Sequence, residues 1–380
     1  MVTLNNADSV LKSFYLDAVS DALNAKINPF LAKIEKTSAN VSGKDVRKTF
    51  SCGFNNGIGA GSETGTLPTA NGNNYAQMVA TLKNFYGTLE ISDKAIRASA
   101  NSDGAFVNLL NEEMRTLINT AKFNFGRMLF GDGSGVLSTV LEGNGMVATV
   151  DNVQNFVAGM NVELKSDTKT IASKVTFVDY PNNAIVFDTS VTLGDMEGAI
   201  ITLPGEQGEE LTGLAAIFNG EDLYGLSREV AGMRPYLVDD LGDVNDADIL
   251  AALDTIEATS GSRPDIIICS AKARRALVEY YKQYNITMPT MQIEGGFTAL
   301  DFHGVPIVVD RFCPRNTMYL LNSANFKLHQ LCDWQWLETE DGKILKQIAG
   351  KPVYTATLVK YAELLCDNPS AQGMLQFMNI

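Results

Sequence analysis

The sequence predicts an α+β protein with long appendages and a separate all-β insert. Three observations carry that expectation. Residues beyond about 213 mix helix-patterned with strand-patterned segments, one helical stripe spans 103–130, and 136–212 holds only short alternating strands.

A chain of 380 residues with 45% hydrophobic content can bury two or three packed units. The balance of 30 basic against 44 acidic residues, a formal charge of −14, opposes tight binding of a polyanion, because gripping a nucleic-acid backbone takes Lys and Arg. Five cysteines stand singly without CxxC spacing, so neither a zinc site nor a disulfide framework is expected and burial as small hydrophobes is. The amino terminus lacks the basic start and unbroken apolar core of a signal peptide, and no run reaches a membrane span of roughly 18 to 20 apolar residues. These features place the newly made chain in a cytoplasm.

From the start, Leu11, Phe14, Tyr15, Ala18, Val19, Ala22, Leu23 and Ile27 recur at three- and four-residue steps, which predicts an amphipathic helix over 8–28 that Pro29 ends or bends. The segments KDVRKTFSCGF (44–54) and AQMVATLKNFYGTLEIS (76–92) are rich in Val, Thr, Phe and Tyr and predict two long antiparallel strands. Between them lies GFNNGIGAGSETGTLPTANGNN (53–74), with six glycines, five asparagines and one charge, Glu63. Ten paired residues at about 3.3 Å each would carry this tip roughly 30 Å from the hairpin base, and so long a hairpin needs a surface to lie on.

The stripe Phe106, Leu110, Met114, Leu117, Ala121, Phe125 and Met128 defines the next helix, capped by Ser102 or Asp103 and ended by Gly131 and Gly133. At 1.5 Å per residue it runs about 42 Å, long enough to be a structural beam. Short strands then alternate with Pro-Asn-Asn and Gly-Asp turns through 136–212, predicting a small barrel or sandwich. Beyond it, NDADILAALDTIEAT and SAKARRALVEYYKQY read as helices, the latter with Arg275 and Glu279 four apart. PDIIIC, GVPIVVD and TMYLLN read as strands, and further strands come from the end of the chain.

Motifs for chemistry are weak. Gly57, Gly59 and Gly61 give G-x-G-x-G with no strand-to-helix turn around them, so the 57–65 loop fails the dinucleotide fingerprint and lacks a P-loop lysine. His303 and His329 are the only histidines, and each reads as structural. A Cys313–His303 nucleophilic pair has no supporting local signature. Asp239, Asp240, Asp243, Asp246 and Asp248 fail calcium-loop spacing, because Ala247 stands at a ligand position, and read instead as a solvated, helix-capping turn. The basic-aromatic KARRALVEYYK reads as a solvated helix face. No cofactor or metal is expected. Appendages that project from a monomer need a partner to bury them, and repeated self-association supplies one.

In this order of parts the chain resembles the major capsid proteins of tailed bacteriophages, which share the Hong Kong 97 type fold. The resemblance rests on GIGAGSETGTLPTANG with its sequel YGTLEISDKAI, on the helix at 103–130, and on PDIIICSAKARRAL, FHGVPIVVDRFCPRNTMYLLN and FKLHQLCDWQWLE. It implies an N-terminal arm (1–40), an extended loop (41–92) and a peripheral domain (93–135 and 337–367) with a spine helix. It further implies an inserted β domain (136–212), found in only some members, and an axial domain (213–336 and 368–380).

Members of that family are not enzymes; they form hexamers and pentamers that close into an icosahedral head around double-stranded DNA. The resemblance therefore implies self-assembly in a virion after synthesis in a host cytoplasm, a portal, and DNA enclosed without tight binding. It also implies a separate scaffolding protein, or a propeptide removed before this chain's start, because the terminal segment is short. Gly57, Gly59, Gly61, Glu63, Gly65, Lys44 and Lys48 become the assembly-loop residues. Covalent cross-linking through Lys44 or Lys48 ranks below simple packing. The rivals are an encapsulin-like compartment, a nucleotide-dependent enzyme using the 57–65 loop, and a phage tail component.

Overall fold

The computed structural model describes residues 28–378 except 54, 56, 70–71, 96–104, 168, 190–195, 221, 286–288, 294–296, 339–341 and 343; side chains of 105–112, 293 and 297 are also left aside. The helix expected at 8–28 lies, up to residue 27, outside the described residues, as do Ser102 and Asp103, the caps expected for the long helix. Pro29 begins a short helix of its own. Asn28 caps helix Pro29–Lys33 by accepting from the amides of Phe30 and Leu31, and proline suits the first helical turn because its missing N–H would have no partner there.

Two sheets organise the body. The first has seven strands in the order Tyr236–Leu241, Gly373–Phe377, Thr317–Leu321, Ile266–Cys269, Val305–Val309, Phe297–Phe302, Thr290–Ile293. Its central strand, Ile266–Cys269, is buried along its whole length, which is why it reads as continuous hydrophobics without alternation. Ile266–Cys269 and Val305–Val309 run parallel, and helix Ala271–Gln283 follows the first of them. Ser270 caps that helix, while Asn245 starts and left-handed Gly261 ends helix Asp246–Ser260. His303 and Gly304, with φ of 50° and 84°, make the tight turn between Phe297–Phe302 and Val305–Val309.

The second sheet is built on the 14-residue strand Val353–Cys366, which pairs antiparallel with Phe326–Trp336 and Lys346–Gln347 along one side and with Lys83–Ser92 along the other. Glu35–Thr37 adds a parallel edge to Phe326–Trp336. The long helix, Ala105–Met128, lies on this sheet. Phe125 meets Phe85 and Trp334 edge-on at 5.7 and 6.4 Å, and a Cβ on Gly87 would stand 3.2 Å from Leu117 Cδ1, so glycine lets the helix approach.

Two sequence expectations need correction. Residues 76–92 are not one strand: Asn74–Thr81 pairs with Asp45–Cys52, the chain breaks at buried Leu82, and Lys83–Ser92 joins Val353–Cys366. Four buried side chains, Leu82, Phe85, Leu89 and Ile91, hold that second half in the core instead of in an arm. The expected axial range 213–336 takes in Phe326–Trp336, yet this strand pairs with Val353–Cys366 of the other sheet, because the turn at Ser323–Asn325 redirects the chain after Thr317–Leu321.

Between the long helix and the seven-stranded unit, six strands close a barrel: Val136–Asn144, Val147–Val150, Asn161–Lys165, Thr170–Asp179, Ala184–Phe187 and Ile200–Thr202. Leu137, Phe156, Leu164, Val175, Ile185, Phe187 and Ile201 fill it as a separate core. Entry and exit lie side by side, the Gly208 amide donating to the Ser134 carbonyl at 2.7 Å. A clasp holds the far side: Arg315 donates to the Tyr180 carbonyl at 2.8 Å and Arg311 to the Tyr180 hydroxyl at 3.2 Å. Arg311 also lies over the Phe123 ring of the long helix, 4.9 Å from its centroid. No helix among the described residues is long and apolar enough to cross a membrane.

Candidate assembly surface

The hairpin that carries the glycine run is eight residue pairs long, from Asp45 opposite Thr81 to Cys52 opposite Asn74. Its base is fixed to the body. Val46, Met78 and Ala80 are buried in the main core, and the Val79 amide donates to the Tyr224 carbonyl at 3.0 Å. Tyr224, itself at φ 52°, donates its hydroxyl to the Leu364 carbonyl at 3.1 Å and accepts from the Cys366 amide at 3.1 Å. Farther out, Lys48 Nζ pairs with Asp367 Oδ2 at 2.5 Å. The projecting part is therefore shorter than the 44–92 arm expected from sequence: it begins near Cys52 and returns near Asn74.

Every residue from 58 to 69 is exposed, and two large apolar side chains are almost wholly so, Ile58 at 82% and Leu67 at 90%. Among its described residues the run makes few hydrogen bonds of its own. Gly65 donates to the Ser62 carbonyl at 2.9 Å in a turn that places exposed Glu63 at its tip, and a Cβ on Gly65 would meet Ser62 Oγ at 2.9 Å. The Gly57 amide donates to Asn55 Oδ1 at 2.8 Å. At Gly61, by contrast, an added Cβ would find its nearest neighbour, the Thr66 carbonyl, at 4.0 Å. Gly59 needs only a small adjustment of the Pro68 ring at 3.2 Å. None of the three has a left-handed φ; Gly65 is the most crowded, through Ser62, whereas Gly61 has no close neighbour. The run leads into strand Asn74–Thr81 and so offers no helix N-terminus to a phosphate.

Lys44 is exposed, whereas Lys48 is held by Asp367. On the beam helix, Met114 and Phe125 are buried and Leu117 packs against Gly87; Phe106 and Leu110 belong to the helix, with side chains outside the described set.

Sequence reasoning missed the charged junction where the barrel rejoins the body. Arg127, near the end of the long helix, makes a buried two-pronged pair with Glu210 at 2.9 and 2.6 Å. Glu206 stands 3.7 Å from the same guanidinium, and burial, reinforced by the Glu210 charge, pushes its carboxyl up to about 7. Gly213 then crosses the helix end so closely that a Cβ would lie 2.4, 2.6 and 2.7 Å from the carbonyls of Met128, Gly131 and Leu129. Glu363 accepts from the amides of Thr212 and Leu364 at 2.8 and 3.1 Å, and burial raises its carboxyl to about 7. Behind the beam helix, buried Lys360 pairs with Asp333 at 2.5 Å beneath the Phe125 and Trp334 rings. Despite its partial burial, Asp333 is held down at about 2 by this ammonium and its hydrogen bond. No sequence motif links these residues, since Arg127 and Glu210 stand 83 positions apart.

The weak catalytic readings find no converging geometry. His329 is buried with Nδ1 2.9 Å from the Ala39 carbonyl, and burial lowers its pKa. Cys313 donates to the Thr317 carbonyl at 3.4 Å, and burial raises its thiol well above the ordinary value, opposite to what activates a nucleophile. All five cysteines are free. Asn245, not the aspartates, supplies the helix cap in the acidic turn, while Asp248 returns a bond to Asn245. Among the described residues no trio of His, Cys, Asp and Glu converges as a metal site.

A two-sheet body with a beam helix, a projecting hairpin and an inserted barrel is the Hong Kong 97 type fold, the fold of tailed-phage capsid proteins. The cyanophage A-1(L) capsid protein superposes with a TM-score of 0.58 at 12% identity, over 92% of each chain. The capsid protein of the native GTA particle gives 0.50 at 10% identity, covering 94% of this chain and 90% of its own. The SrpI encapsulin of Synechococcus elongatus PCC 7942 gives 0.49 at 12% identity, covering 92% of this chain and 88% of its own. No protein-family model matches the chain, and no curated protein matches it in sequence.

Proposed function

We propose that this protein is the major capsid protein of a tailed phage, assembling into hexamers and pentamers that close as an icosahedral head around double-stranded DNA. The observation that carries the reading is the agreement in fold with the cyanophage capsid protein along 92% of both chains. In this reading the seven-stranded unit is the axial domain, and the sheet under the beam helix is the peripheral domain. The barrel is an insertion, and the 53–73 loop lies on an adjacent subunit. Three features support that last role: the loop exposes Ile58 and Leu67, makes few hydrogen bonds of its own among its described residues, and keeps glycines at 59 and 61 that its own conformation does not demand. A partner backbone passing close by accounts for them.

The acidic balance of −14 suits a container that must not grip its cargo. A separate scaffolding protein and a portal complete the assembly, and the host cytoplasm is where it takes place.

Electron microscopy of the expressed protein tests the proposal. Closed icosahedral particles are the expected result; tubes, or a monomer at every concentration, overturn it. Nuclease-protected DNA in particles from the native source separates a phage head from a compartment that encloses protein.

A further inference from the structure

We propose that the two ends of the seven-stranded sheet are complementary halves of one contact, so that copies of this chain join head to tail through an acidic edge on one and a basic groove on the next. The inference rests on the shell reading above and names the charged groups that close its rings.

The acidic half is strand Tyr236–Leu241, which among the described residues pairs on one side only, with Gly373–Phe377. Its register breaks between Val238 and Leu241, and Asp239 and Asp240 occupy that irregular stretch, both exposed, with exposed Asp243 in the turn that follows. None of these three caps the next helix, a task that falls to Asn245. Their charges are unspent in the fold: no ion pair joins them to Lys or Arg among the described residues.

The basic half is at the other end. Seven strands separate the two edges by about 29 Å at roughly 4.8 Å per step. There a groove of about 660 Å³ runs between helix Ala271–Gln283 and the strands Thr290–Ile293, Phe297–Phe302 and Val305–Val309. Arg274, Arg275 and Lys282 line it, opposed only by Glu279. All three basic side chains are exposed, and none is paired to a carboxylate among the described residues. The opposite flank of the helix is occupied, since Tyr280 donates to Asp246 Oδ1 at 2.9 Å and so ties it to helix Asp246–Ser260. The basic stripe therefore faces away from the acidic turn of its own chain.

A twofold contact through either end would place like charges against each other. Head-to-tail contact places three carboxylates against three cations, and a head-to-tail contact with a fixed rotation closes into a ring. The apolar floor of Ile307 and Val309 adds burial beneath the charges.

Paired charge reversals on the full chain test this. D239K/D240K alone and R274E/R275E alone are each expected to assemble roughly tenfold more slowly than the unaltered protein, because each presents like charges at every contact. Far-ultraviolet dichroism and thermal melting are expected to be unchanged, since all four side chains are exposed. Mixed one to one, the two variants are expected to recover ring formation, read by negative-stain microscopy, in even-numbered rings only, because only alternation matches opposite signs; closed heads, which need five-membered rings, are not expected from the mixture. Raising ionic strength from about 0.1 M to about 1 M shortens screening from about 10 Å to about 3 Å and is expected to slow assembly of the unaltered protein. Folded single-set variants that assemble at the normal rate, or a folded mixture that forms no more rings than its components do alone, overturn the contact. Failure of the unaltered protein to form closed particles would instead remove the shell reading itself.

Discussion

Lys48 and Asp367 meet at 2.5 Å, and this pair binds the middle of the projecting hairpin to the end of the longest strand of its own body. The free loop therefore begins only beyond it. Because the pair is partly exposed, its loss is expected to cost little globally, about 0.5–1 kcal/mol. Its local effect is expected to be larger: in Asp367→Asn, amide exchange across 45–52 and 74–81 should quicken while the melting temperature stays nearly constant. Unchanged exchange in both strands would show that the pair does not restrain the hairpin.

Tyr224 is expected to matter more. Its hydroxyl bonds two backbone groups of the Leu364–Cys366 segment, while its carbonyl receives the Val79 amide. Tyr224→Phe leaves the buried Leu364 carbonyl and Cys366 amide without that hydroxyl, a loss of about 1–3 kcal/mol measurable by urea unfolding.

Two glycine substitutions are expected to separate folding from assembly. Gly213→Ala drives a methyl into three carbonyls and should destabilise the monomer by about 3 kcal/mol. Gly61→Val has open space around it in the single chain, so melting should not change, while particle yield falls. A Gly61→Val protein that builds normal shells would contradict contact at that position.

Acidity offers a further check. Glu206 and Glu363 are both raised to about 7, above the usual carboxyl value of 4.5, chiefly by burial. The folded chain therefore holds protons that the unfolded chain has released. The stability they contribute is complete below about 4.5 and is lost as pH rises through about 7. Melting temperature is expected to fall across that interval, and the slope should flatten in Glu363→Gln, whose amide oxygen can still accept from Thr212 and Leu364. An equal slope in that variant would remove Glu363 as its source. Asp333, held near 2, has the opposite sign, with its contribution lost only as pH falls below its ordinary 3.8 toward 2.

Much of the α+β architecture was legible because its signals are local. The beam helix shows its stripe over many turns, and buried strands such as Ile266–Cys269 announce themselves as apolar runs. What stayed hidden was set by distant partners. Residues 76–92 have uniform β character, so nothing local marks Leu82 as the point where the chain leaves one sheet for another. Phe326–Trp336 follows the seven-stranded unit in sequence but finds its partner at Val353–Cys366. In the candidate site, composition marked the glycine run, but a single sequence could not distinguish Gly65, crowded by Ser62 in its own turn, from Gly61, which has no close neighbour. The Arg127, Glu206 and Glu210 cluster assembles only when the barrel's two connecting chains meet.

That meeting has a practical corollary. Since the Gly208 amide touches the Ser134 carbonyl, the chain leaves for the barrel and comes back at almost the same point. Exchanging the intervening module for a tight turn, or for an unrelated domain with adjacent termini, incurs little loop-closure entropy. The principal loss is the Tyr180 clasp, so this junction is a ready-made grafting point for displaying foreign polypeptides.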